Sequence, residues 1–131
     1  MNIKRFDPVI YPQKLWVAVT EDATELNGLF VKEYEGEPIN FEVYEFKEKY
    51  EALTIRVRSK TRHFGVLIIF KPKFLDVKTI AHEASHAAGY IFHHIGADMD
   101  CGEPTAYLMG WIADCCWKMK NSKANGSQQM G

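Results

Sequence analysis

The chain has 131 residues, 47% of them hydrophobic and 25% charged, a length and balance that suit one globular domain able to build a core without disulfides. Its formal net charge of −1 gives no basic footprint for nucleic acid and no general attraction to an anionic membrane. Three cysteines, Cys101, Cys115 and Cys116, two of them adjacent, make no disulfide framework; with no signal peptide and no apolar run of transmembrane length, a cytoplasmic protein with reduced thiols is expected.

In chain order, the first half reads as strands. Leu15–Thr20 is a short β-rich run following Tyr11-Pro12, and Phe41, Val43 and Tyr44 sit in another strand-like stretch. Between them, Glu21 to Lys32 is ambiguous, with a turn suggested at Asn27-Gly28. Leu53, Ile55 and Val57 alternate with Thr54, Arg56 and Arg58, the period of a half-buried strand. Gly65–Phe70 is continuously apolar, which predicts a strand covered on both faces and ended by Pro72. The local basic run Arg56, Arg58, Lys60 and Arg62 reads as a solvated strand face rather than an RNA-binding one, given the near-neutral total charge.

The second half reads as helices. Asp76 is a suitable N-cap, and Val77, Ile80, Ala81, Ala84, Ala87, Ala88 and Ile91 recur at helical spacing; Gly89 and Gly96 are candidate ends. A polar Gly96–Gly102 segment leads to a second helix, roughly Glu103 to Lys120, in which Cys115 and Cys116 act as small buried hydrophobes. The expected class is α+β: a mostly antiparallel N-terminal sheet followed by two packed helices. Residues 1–120 are expected to form the single domain and 121–131 a disordered tail.

Chemistry concentrates in His82-Glu83-Ala84-Ser85-His86. Two histidines four apart lie one turn apart on one helical face and can grip one ion. Glu83 flanks that position, where its carboxylate can take a proton from a metal-activated water. A third ligand is then required. His93 and His94 better suit a helix C-terminus. Asp98 and Asp100 are possible carboxylate ligands in a turn-rich loop, and Glu103 opens the second helix, where a short return segment could bring it to the two histidines.

His82–His86 followed by Glu103-Pro104-Thr105-Ala106-Tyr107 and Leu108-Met109-Gly110-Trp111-Ile112 resembles the gluzincin branch of zinc metallopeptidases. More closely, it is similar to the compact zincin-like proteins common in phage and prophage genomes. The resemblance covers about Phe64 to Trp117. It implies a small zincin-like domain binding one Zn2+ through His82, His86 and Glu103, with Glu83 as the base in peptide-bond hydrolysis of a peptide or protein substrate. It also implies a sheet edge able to align a peptide, at Gly65–Phe70 or its neighbour. Larger gluzincins carry an Asp four residues after the ligand Glu; here that residue is Tyr107, a candidate partner for a ligand or for an oxyanion. Tyr90, His93 and Arg62 are further candidates for a transition-state donor. The alternative is a non-catalytic zinc-binding accessory or assembly protein of a phage or prophage, with a structural or degenerate site.

Overall fold

A computed structural model of the chain describes residues 1–121. The chain runs through strands β1 (Asn2–Phe6), β2 (Lys14–Val19) and β3 (Phe30–Val31), a one-turn helix α1 (Phe46–Lys49), strands β4 (Ala52–Ser59) and β5 (Phe64–Phe70), and helices α2 (Val77–His94) and α3 (Glu103–Lys118). The fold is α+β: a five-stranded mixed sheet followed by two packed helices. Of the expected tail, residues 121–131, only Asn121 lies within the described residues, closing a 3-10 turn from Met119; the rest lies outside them.

The sheet order is β1-β2-β5-β4-β3. All neighbouring pairs are antiparallel except β2 and β5, which run parallel with Leu15 beside Val66 and Val17 beside Ile68. That places β5 in the middle. Val66, Ile68 and Phe70 pack with Leu15 and Val17 against the two helices. Leu67 and Ile69 turn the other way, with Trp16, Ala18 and Val57, onto Leu26, Phe30, Phe41 and Phe46. The unbroken apolar run is therefore buried on both faces, as its composition predicts. At roughly 1.5–3 kcal/mol for each large apolar side chain removed from water, only a central position uses it fully.

Three sequence expectations change. The Phe41–Tyr44 stretch is a 3-10 turn, capped by the Asn40 side chain, which accepts from the Glu42 amide. β1 was not foreseen; its Asn2–Phe6 residues show little alternation, and only pairing with β2 fixes them as a strand. Gly89 does not end α2, which continues to His94; Gly96, at φ +74°, lies beyond its end.

β4 carries an incomplete partner. β3 pairs with it only at Arg58 and Ser59, so among the described residues no strand pairs with the outer edge of Ala52–Val57. Period-two alternation sets its faces: Ala52 and Thr54 turn toward α2, while Leu53, Ile55 and Val57 join the opposite cluster. No helix among the described residues is long and apolar enough to cross a membrane.

Candidate metal centre

α2 begins where the Asp76 carboxylate accepts a hydrogen bond of 2.8 Å from the Thr79 amide. This bond and a second from the Thr79 side chain hold the Asp76 carboxyl below its ordinary value of 3.8. The helix then buries Ile80, Glu83, Ala84, Ala87, Ala88, Ile91 and Phe92. At about 100° per residue, His82 and His86 fall about 200° and 240° around the helix from Ile80, on the face turned away from the core. Both are exposed, the His82 side chain at 68%. They are not histidines of the apolar stripe; the spacing that joins them to each other separates them from it.

On that face the two imidazoles converge. Their Nε2 atoms are 3.2 Å apart, with ring centroids 4.8 Å apart and planes at 77°. Two zinc–nitrogen bonds of about 2.0–2.1 Å meeting at a tetrahedral angle separate their nitrogens by roughly 3.3 Å. The separation of the two nitrogens thus matches that of a chelating pair for zinc.

Glu83 falls about 60° from Ile80 on the side nearer the histidines. Its side chain is only 8% exposed, and the buried carboxylate is held by the sheet: the Thr54 hydroxyl of β4 donates to Oε1 at 2.6 Å. The other oxygen, Oε2, lies 3.9 Å from His82 Nε2. One oxygen is therefore anchored and the other faces the histidine pair. The alternation of β4 in the sequence sets Thr54 on the polar face opposite Leu53, Ile55 and Val57; the structure packs that face at Thr54 against α2.

The expected third ligand does not join this group. Among the described residues, no three His, Cys, Asp or Glu side chains gather as a metal-ligand set. α3 packs through Thr105, Leu108, Ile112, Cys115 and Cys116. Glu103 and Tyr107 each stand two residues from Thr105, about 200° around the helix, so both face away from the packed side. Instead they line a groove with Pro8, Val9, Tyr11 and Trp111, and Tyr107 is 74% exposed. The Asp100 carboxylate is taken by the Gly102 amide at 2.8 Å and Thr105 Oγ1 at 3.4 Å, while Asp98 is exposed in the loop. The N-cap of α3 is Gly102, without a side-chain cap.

His93 and His94 occupy the last turn of α2, as their position implies, and His94 lies 5.6 Å from the Phe64 ring. His93 shares with His86 a surface cavity of about 500 Å³, formed by Arg56 of β4, by Ser85, Gly89 and Tyr90 of α2, and by Met99. Arg56 sits 5.2 Å over the Tyr90 ring. Arg62 lies in the β4–β5 turn, outside that cavity. Cys115 and Cys116 are buried in α3: burial pushes the Cys115 thiol up to about 12, and burial, with Cys115 and the Glu83 charge nearby, pushes Cys116 up as well.

Comparison with family models, curated proteins and solved structures finds no match to this chain.

Proposed function

We propose that the chain is a zinc-dependent, metallopeptidase-like protein in which His82 and His86 hold the ion and Glu83 is the base. The observation that carries this reading is the 3.2 Å convergence of the two Nε2 atoms beside a carboxylate whose free oxygen lies 3.9 Å from one of them. Zinc bound there supplies a Lewis acid that activates water and polarises a carbonyl. Glu83 Oε2 takes the proton of the attacking water and returns it to the leaving amine. Thr54 fixes Oε1, so the carboxylate does not swing away during that exchange. The edge of β4 around Thr54, which no strand among the described residues pairs, offers backbone groups for an extended peptide. Glu103 enters this reading as a separate question. Its face of α3 would have to turn toward α2 for it to complete the ligand set.

Elemental analysis of the purified protein tests the metal. Wild type is expected to retain one zinc per chain, and His82→Ala and His86→Ala to lose it; metal retained in both variants sinks the site. Glu103→Ala keeps the metal if the pair alone anchors it and loses it if the loaded protein recruits the first turn of α3. Glu83→Gln is expected to keep zinc and lose hydrolysis of any cleaved peptide; unchanged turnover removes Glu83 as base.

A second reading is a non-catalytic zinc-binding accessory protein. The exposure of both histidines and the placement of Glu103 on another face favour it. An ion closed off by four protein ligands would support it, whereas a ligand position open to water supports the hydrolase.

A further inference from the structure

We propose that Arg56 forms an anion subsite beside the histidine pair, which takes a peptide carboxylate lying within two residues of the scissile bond. The inference deepens the peptidase reading and rests on it for the position of that bond.

Arg56 and Thr54 lie on one face of β4, a two-residue repeat of roughly 6.6–6.8 Å apart. Thr54 holds Glu83, so Arg56 stands one repeat along the strand from the proposed base. The cavity that Arg56 shares with His86 contains no acidic residue. An anion entering it meets a guanidinium, with His86 and His93 on the helix side, and no repelling carboxylate. On the far side of Arg56, a neighbouring cavity does contain Glu33 and Glu35, but these are engaged locally. Lys32 Nζ lies 3.5 Å from Glu35, and the Glu33 carboxylate acts on its neighbour Tyr34, whose hydroxyl pKa it raises. Among the described residues, Arg56 pairs with no carboxylate of this chain; its contact is the Tyr90 ring. Stacking on an aromatic face holds the guanidinium while leaving its planar N–H fork available, the arrangement that suits bidentate capture of a carboxylate. A peptide laid along the open β4 edge, with its carbonyl near Glu83, brings a group one or two residues onward to Arg56. Either a C-terminal α-carboxylate or an Asp or Glu side chain supplies the same chemistry.

The test uses metal-stripped full-length protein, so no turnover interferes, and isothermal titration with one short apolar peptide in three forms: free acid, C-terminal amide, and amide with a Glu side chain near the end. At least one carboxylate-bearing form is expected to bind about tenfold or more tightly than the plain amide. The better of the two identifies the source of the anion. Arg56→Gln should bring all three forms to the affinity of the amide, while Arg56→Lys retains part of the preference. Equal binding of all three forms to wild type, or a preference that survives Arg56→Gln in a protein with an unchanged far-UV spectrum, overturns the subsite. Zinc content measured on each variant as purified, before stripping, separates the two ideas. Loss of zinc binding with the preference intact removes the peptidase reading alone; zinc retained without any preference removes the subsite alone.

Discussion

Thr54 makes the buried carboxylate of Glu83 tolerable, because its hydroxyl donates the 2.6 Å hydrogen bond that replaces water at Oε1. Thr54→Val keeps the shape and deletes the donor. It is expected to lower stability by roughly 1–3 kcal/mol in urea unfolding, with Thr54→Ser close to wild type. Asp76 gives a pH-dependent contribution. Its folded pKa is depressed below the ordinary 3.8, chiefly by the hydrogen bond from the Thr79 amide. The stabilisation is therefore present above that value and is lost as pH falls through the folded pKa. The difference in unfolding midpoint between wild type and Asp76→Ala should be full at pH 7 and shrink below about pH 3.8. At the cysteines, burial separates three otherwise similar thiols. Cys101 is exposed, whereas Cys115 and Cys116 are buried with raised pKa values. An aromatic disulfide reagent at pH 8 should titrate one thiol per native chain and three after denaturation.

At the scale of elements, β2 and β5 approach closely at Gly65 of β5. A Cβ there would sit 2.3 Å from the Lys14 carbonyl oxygen and 2.5 Å from the Trp16 ring. Gly65→Ala must push apart the parallel seam between β2 and β5, and a loss of roughly 1–3 kcal/mol in thermal or urea unfolding is expected. Strong local patterns made most elements legible: the apolar run of β5, the alternation of β4, and the capped stripe of α2. Phe41–Tyr44 misled because apolar aromatic residues suit a strand, yet here they seal one face of the sheet from a 3-10 turn. The placement of Glu103 was not legible for a related reason. Its spacing from the histidines along the chain says how far α3 can reach, but the rotation of α3 is set by Thr105, Leu108 and Ile112 packing inward. Had the 100° period been counted from those residues, Glu103 and Tyr107 would already have fallen on the opposite face.

At the scale of the whole molecule, the candidate centre joins two layers: α2 brings the histidines and the base, and β4 brings Thr54 and Arg56. The HExxH spacing was readable along one helix, but its support from the sheet was not, since it depends on which strand packs beneath that helix. Zinc at the pair should stabilise the native state by mass action, about 2.7 kcal/mol at a free concentration 100 times the dissociation constant. The expected rise in melting temperature with added zinc should vanish in His86→Ala, and a rise that persists there would place the ion elsewhere. The strand order has another consequence, for the time at which structure can form. Among the described residues β5 is the last strand to leave the ribosome, yet it lies between β2 and β4 and supplies both with their main partner. Residues 20–63 separate β2 from its parallel mate, so the two halves of the sheet stay unjoined during synthesis until residue 70 has emerged. A nascent chain stalled before that point exposes the apolar flanks of β2 and β4 together, which makes the interval before β5 appears the aggregation-prone stage of its biogenesis.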